Sequence, residues 1–255
     1  MIGFNHLGRH GRLGNQMFQY AGLRGIASHK GYDFCIPASD FTDEWTDHQL
    51  FEAFKLTGLT NIATCPGPYV QEASFRFDQN LFDNMPDGHN VYAYLQSTKY
   101  FEHIEKDIRE DFQFKNNIAN PCKEMIASVD KPIALHVRRG DYLVNSDNHP
   151  PCSKEYYDAA LDKFDSDRNM IVFSDDPAWC NDQFDDDRFL VSEGGDNLAD
   201  LCMMSLCDDF IIANSSFSWW GSWLSENPDK RIIAPSKWFG TCLLYTSPSP
   251  RDNGR

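Results

Sequence analysis

The segment Leu135-His136-Val137-Arg138-Arg139-Gly140-Asp141-Tyr142 carries two adjacent arginines directly after an apolar run. Guanidinium groups stay charged and present forked donors, so such a pair suits a diphosphate. The plainer reading is a salt bridge to Asp141 and its neighbours. On a strand, side chains alternate, which puts His136 and Arg138 on one face and Val137 and Arg139 on the other. Imidazole and guanidinium then project together at the strand's carboxyl end, where open α/β sheets bind ligands.

Two more segments offer donors. Gly11-Arg12-Leu13-Gly14-Asn15-Gln16-Met17-Phe18-Gln19-Tyr20-Ala21 combines glycines, which let a ligand approach the backbone, with a helix start whose N–H groups and dipole favour an anion. Its spacing is not the dinucleotide fingerprint G-x-G-x-x-G. Downstream, Ile211-Ile212-Ala213 runs into Asn214-Ser215-Ser216-Phe217-Ser218-Trp219-Trp220, a strand end followed by hydroxyls at a helix start. Helix capping by Ser215 or Ser216 is the structural alternative, and Trp219, Trp220 and Trp223 are expected in the core. Asp200 offers an acceptor for a guanine or ribose edge.

The elements that must position these residues read as βα units. Ile2–Phe4 is a short strand, Gln16–Lys30 a helix stopped by Gly31, and Tyr32–Ile36 a second strand. Residues 38–90 show few periods. Val91–Gln96 alternates as a strand, and Phe101, Ile104, Ile108 and Phe112 give one face of a helix over Tyr100–Phe112. A second α/β unit follows a boundary near residues 115–131. Its strands are Ile133–Val137, Met170–Phe173, Phe210–Ala213 and Arg231–Ala234, and its helices are Lys154–Phe164, Asn197–Cys207 and Trp219–Ser225.

Composition narrows the classes. The 255 residues carry 38 acidic and 23 basic side chains, a net charge of −15. That is the wrong sign for nucleic acid or an anionic membrane as a bulk partner. No apolar run is long enough for a membrane span, and peripheral association is left open. The eight cysteines are scattered without C-x-x-C, and the start Met1-Ile2-Gly3-Phe4-Asn5-His6 lacks a signal peptide's basic and apolar regions. A cytoplasmic protein with free thiols is expected.

Together the motifs resemble glycosyltransferase family 11, the α-1,2-fucosyltransferases. The resemblance rests on the glycine-loop, His136–Tyr142 and Asn214–Trp220 segments, with Tyr94-Leu95-Gln96-Ser97-Thr98-Lys99-Tyr100-Phe101 and Phe173-Ser174-Asp175-Asp176, in the family's order over about residues 1–240. It implies an α/β, GT-B-type fold of two Rossmann-like lobes, with the donor site in the cleft between them. Residues 1–120 would form the N-terminal, acceptor-side lobe and 121–242 the C-terminal lobe that binds GDP-fucose. Residues 243–255 would be a disordered or artefactual tail, since Leu244–Asp252 resembles translated sequencing-adapter read-through.

The activity implied is inverting transfer of L-fucose from GDP-fucose to a glycan hydroxyl, O2 of a terminal galactose, with no cofactor and no required metal. Carried over by motif, His136 and Asp200 would contact guanosine and Arg138 the β-phosphate. Asn214, Ser215, Ser216, Phe217 and Ser218 would line the diphosphate, while Gly14 and Asn15 would face the fucose and the leaving group. Arg138 and Asn15 are the catalytic candidates. Arg12, where many relatives have glycine, is either a second phosphate contact or a surface charge. Binding an anion in so acidic a chain calls for a locally basic site around Arg138. Two rival readings remain: a metal-dependent transferase or hydrolase built on Asp175-Asp176 or Asp185-Asp186-Asp187, and a non-catalytic sugar-binding protein.

Overall fold

A strand flanked by parallel neighbours is covered on both faces and reads as a continuous apolar run. Ile133-Ala134-Leu135-His136-Val137 is such a run, and in the computed structural model all five residues are buried at the centre of a parallel sheet. The structure describes residues 1–39, 48–193, 195–240 and, as backbone, 242–243. Two compact units result, Met1–Lys115 and a second beginning at Asn116, against the division at 120/121 expected from sequence.

The first unit contains β1 (Ile2–Gly3), α1 (Leu13–Lys30), β2 (Phe34–Cys35), α2 (Leu50–Ala53), β3 (Tyr69–Gln71), α3 (Gln79–Asn84), β4 (Asn90–Tyr92), two 3-10 turns (Thr98–Tyr100 and Glu102–Ile104) and α4 (Glu105–Asp111). Its strands are all parallel, in the order β2-β1-β4-β3. The chain therefore leaves β1 toward one side and later returns on the other. Helix α1 starts at Leu13 rather than Gln16, so Gly14 and Asn15 belong to its first turn, and Gly31 closes it at φ 66°. Gly25 lets α1 press on the first 3-10 turn, because a Cβ there would lie 1.9 Å from the Tyr100 carbonyl oxygen.

The expected helix over Tyr100–Phe112 is instead the two 3-10 turns followed by α4. Phe101 (φ −136°) and Ile104 (φ −124°) leave helical geometry, so the periodic apolar face is shared by three short pieces. The strand expected over Val91–Gln96 is likewise cut to β4 by Leu95, whose φ is +53°.

The second unit runs α5 (Asn116–Ile126), β5 (Ile133–Val137), α6 (Gly140–Val144), α7 (Lys154–Leu161), β6 (Met170–Ser174), α8 (Pro177–Gln183), β7 (Phe189–Val191), α9 (Asn197–Ser205), β8 (Asp209–Ile211), α10 (Ser216–Leu224), β9 (Ile232–Ile233), β10 (Lys237–Phe239) and β11 (Cys242–Leu243). Its main sheet is parallel, in the order β7-β6-β5-β8-β9, the doubly wound arrangement with a switch point between β5 and β8. Leu135, Val137, Tyr157, Val172 and Ile211 form its core. Trp219, Trp220 and Trp223 are buried and meet edge to face at 4.9 and 5.0 Å, a packing role. Leu243, assigned to the tail from sequence, lies in β11, and residues 244–255 fall outside the described residues.

Candidate active site

Both loops that flank the switch point of the second unit come from the motifs singled out in the sequence. His136 is the penultimate residue of β5, and its ring lies 5.7 Å from that of Phe217 in the first turn of α10. The Tyr142 hydroxyl donates to the Asn214 carbonyl at 2.9 Å, tying the segment after β5 to the one after β8. Ser215 caps α10 by accepting from the Phe217 N–H at 3.3 Å. The helix so begins at Ser216, three residues before the expected Trp219, and its first-turn N–H groups lie at its end next to β8.

His136 is 5 % exposed and its Nδ1 has no hydrogen-bond partner among the described residues. An orphaned polar atom at a buried position costs stability unless a water or a ligand occupies it. Burial, and secondarily the Arg138 charge, hold the imidazole pKa down to about 3, so the ring is neutral at pH 7. The unfolded chain takes up a proton below about 6.5 that the folded chain refuses. Stability should therefore fall as pH drops from 6.5 toward 3, by up to about 1.4 kcal/mol per pH unit from this group. Urea midpoints at pH 7 and pH 5 for the wild type and His136→Gln test this, and parallel losses in both proteins would dismiss it.

Arg138 is only 16 % exposed and lies between two carboxylates, Asp141 at 2.5 Å and Asp175 at 3.0 Å. Arg139 points elsewhere: its Nε donates to Asp176 at 3.1 Å and its guanidinium covers the Trp179 ring at 4.1 Å. The Asp175 carboxylate also accepts the Arg139 N–H at 2.9 Å, and Gly140 permits this approach, since a Cβ there would sit 2.5 Å from Asp175 Oδ2. The locally basic surface expected around Arg138 is thus corrected. Two arginines face three aspartates, so the cluster has a net charge of −1 and each guanidinium, mostly buried, is paired. The carboxylates of Asp175 and Asp176 are paired with the two arginines, and Asp176 also caps α8.

The remaining candidates divide. Asn214 is 1 % exposed and its Nδ2 donates to the carbonyls of Pro150 and Trp238, both at 3.0 Å, which makes the side chain a clamp between loops. The Ser218 hydroxyl is buried and turns back to the Ala213 and Ser215 carbonyls. Ser215, Ser216 and Phe217 stay at the switch-point end of α10. Asp200 is positioned separately, in the first turn of α9, accepting from Ser192 Oγ at 2.7 Å beyond the end of β7. Burial pushes its pKa up. Tyr142, bonded to the Asn214 carbonyl, and Asp175, paired with Arg138, are neighbours that side-chain alternation along a strand could not find.

In the first unit, Gly14 and Asn15 follow the loop after β1, again beside a switch point, here between β1 and β4. Gly11 adopts φ +98°, and a Cβ on it would fall 2.0 Å from Asn15 Nδ2. Asn15 Oδ1 accepts from Gln96 Nε2 at 2.7 Å. Gln96 is presented by the left-handed turn at Leu95, and Glu72 holds that turn: its carboxylate accepts from the Tyr94 and Leu95 N–H groups at 3.0 and 3.3 Å and from the Tyr100 hydroxyl at 2.9 Å. The Tyr94–Phe101 motif therefore sets the Asn15 amide. Gln19 Nε2 ties the two strand ends together through the His10 and Ala93 carbonyls at 3.0 and 3.4 Å. Arg12 is exposed at the N-cap position of α1.

Comparison with known proteins gives a consistent result. The pattern of the family described as Glycosyl transferase family 11 matches residues 72–240. The chain is 32 % identical over 67 % of its length to the O-antigen biosynthesis glycosyltransferase WbnK of Escherichia coli, and 31 % identical over 90 % to an alpha-1,2-colitosyltransferase of Escherichia coli. It is 26 % identical over 84 % of its length to galactoside 2-alpha-L-fucosyltransferase Sec1 of Mus musculus. The matches span 62 %, 90 % and 62 % of those proteins' own lengths. Among solved structures, POFUT1 in complex with GDP superposes with a TM-score of 0.59 at 12 % identity, covering 91 % of this chain and 97 % of that one. The likeness bears out the two-lobed, GT-B-type α/β fold expected from sequence. No described helix is long and apolar enough to cross a membrane.

Proposed function

Since the chain belongs to glycosyltransferase family 11, we propose that it is an inverting transferase moving L-fucose from GDP-fucose to a glycan hydroxyl, O2 of a terminal galactose, in the cytoplasm. The observation that carries this reading is the buried, unpartnered Nδ1 of His136 beside Arg138 and Phe217 at the switch point of a doubly wound sheet. A neutral imidazole there can accept from or donate to a guanosine edge, and Phe217 offers an aromatic face next to it. Asp200 is a second candidate for the guanosine. Its separate anchorage on β7 and α9 fits the far end of a nucleotide lying along the carboxyl edge of the sheet.

Transfer breaks the bond between the sugar's anomeric carbon and a phosphate oxygen, leaving negative charge on the departing diphosphate. Arg138, held in place by Asp141 and Asp175, and the N–H groups at the start of α10 offer fixed hydrogen-bond donors to that charge. Gly14 and Asn15 would face the sugar, Asn15 with its amide orientation set by Gln96. Because arginine and helix-start amides provide the stabilisation, we expect transfer without a metal ion. The test is incubation with GDP-fucose and a panel of galactose-terminated acceptors, with and without EDTA, followed by linkage analysis. An α-1,2-fucosylated product at undiminished rate in EDTA is expected. Activity abolished by EDTA and restored by Mg²⁺ or Mn²⁺ would favour the metal-dependent rival, and no transfer and no donor hydrolysis would end the proposal.

A second reading, transfer of colitose, is favoured by the relative whose length this chain matches most fully among those above. A colitosyl donor in the same assay separates the two.

A further inference from the structure

The first unit contains a pocket of about 250 Å³ that the donor reading does not employ and that shares only Tyr94 with the quoted motifs. It lies where the chain leaves the sheet at three carboxyl ends: His10 comes from the loop after β1, Gln71 ends β3 and Tyr92 ends β4. β1 and β4 flank the switch point, the position at which open α/β sheets receive ligands, and β3 lies beyond β4 at the sheet edge. Phe75 and Tyr94 form one wall with ring centroids 5.3 Å apart, and His10 meets Tyr92 edge-on at 4.7 Å on the other. Phe75 is 65 % exposed, a large apolar ring on the rim.

The lining selects a ligand class. It includes no lysine or arginine, so a phosphate has no cationic partner there. Its one carboxylate, Glu72, is turned to Tyr94, Leu95 and Tyr100. What remains is aromatic faces with a few polar groups, Gln71, Ser74 and His10, around them. A pyranose ring has matching chemistry: one face of C–H bonds that packs on the electron-rich side of an aromatic ring, and an edge of hydroxyls that hydrogen-bond. The volume lies just under the roughly 300–1,000 Å³ of sites for drug-sized molecules, which suits one neutral sugar and not a nucleotide sugar. The pocket is also joined to the candidate chemistry. Tyr94 stands two residues before Gln96, whose amide holds Asn15, and Gln19 bridges His10 to Ala93.

We propose that this pocket seats the accepting sugar, a neutral pyranose at the end of a glycan, stacked on Phe75 and Tyr94 with its hydroxyls on Gln71, Ser74 and His10. The proposal rests on the glycosyl-transfer reading and gives that reaction its acceptor subsite. Phe75 is exposed enough that its replacement leaves the fold intact. With lactose and N-acetyllactosamine as acceptors, Phe75→Ala should raise the acceptor KM roughly three- to tenfold, while the GDP-fucose KM and the slow hydrolysis of donor stay within about twofold. Phe75→Trp should restore the acceptor KM. An unchanged acceptor KM in Phe75→Ala, with transfer intact, overturns the pocket but leaves the activity standing. If the wild type neither transfers nor hydrolyses, ligand-observed NMR with the same two disaccharides decides. Binding that is lost in Phe75→Ala upholds the pocket although the fucosyl reading fails. No binding, or binding indifferent to Phe75, overturns it.

Discussion

Arg138→Ala is expected to lower turnover by roughly 10²–10³-fold, the range seen when one fixed donor to a developing negative charge is removed. The side chain follows the central strand directly, at the switch point, and its 16 % exposure means that its field is little screened by water. Two carboxylates hold it, so no reorganisation is needed when charge appears on the leaving group. Because the interaction is strongest in the transition state, kcat and kcat/KM should fall together while the donor KM changes little. Arg138→Lys keeps a charge but loses the forked geometry that engages Asp141 and Asp175 at once, and should recover only part of the rate. The competing explanation is that the variant frees Asp175 and Asp141 and unsettles the loop. The thermal midpoint separates them, since Asp141 is 53 % exposed and can be hydrated. Near-wild-type turnover in a folded Arg138→Ala protein would remove Arg138 from the reaction.

Much of the second unit was legible because its strands are buried on both faces and its helices are bracketed by capping residues. Ile133–Val137 and Met170–Phe173 read directly as apolar runs, and Ser153, Asp196 and Ser215 each cap a helix that was read from sequence, whereas α8, capped by Asp176, was not read. Helix α5 escaped notice for a local reason: Asn116-Asn117 and the internal Pro121 read as breakers, yet the helix packs on α9 with Cys122 buried. Residues 38–90 were opaque because β3 and α3 are only three and six residues long, too short for a period to show. The candidate site was legible as motifs but not as pairings. Alternation placed Arg138 beside His136, but not between Asp141 and Asp175. Nothing local shows that Asn214 clamps Pro150 and Trp238, or that Glu72 governs the turn at Leu95. Those contacts join residues 22 to 64 positions apart, and only the closed sheet brings them together.

The largest expected loss of stability lies in a carboxylate that the sequence gives no reason to notice. Asp111, the last residue of α4, has 0 % exposure and faces four partners from other segments. It accepts from the Tyr20 hydroxyl at 2.7 Å, the Thr57 hydroxyl at 3.2 Å and the Gly58 N–H at 2.6 Å, and it is ion-paired with Arg24. Tyr20 and Arg24 belong to α1, so Asp111 clasps the helix whose first turn carries Gly14 and Asn15. Removing one member of a buried ion pair strands the other, at a cost of about 3–5 kcal/mol. In Asp111→Ala, Arg24, only 17 % exposed, keeps just the Asp107 carbonyl at 3.0 Å and the half-exposed Asp107 carboxylate at 4.0 Å, and the Gly58 N–H and the Tyr20 hydroxyl lose their acceptor. The double variant Asp111→Ala, Arg24→Met leaves no charge behind and should regain a large part of that loss, since buried pairs replaced by apolar groups of similar volume are often near neutral. Urea unfolding of the wild type, the single variant and the double variant measures both steps. A single variant destabilised by less than about 1 kcal/mol, the range of exposed surface pairs, would show that water reaches Asp111 and that the clasp does not hold α1.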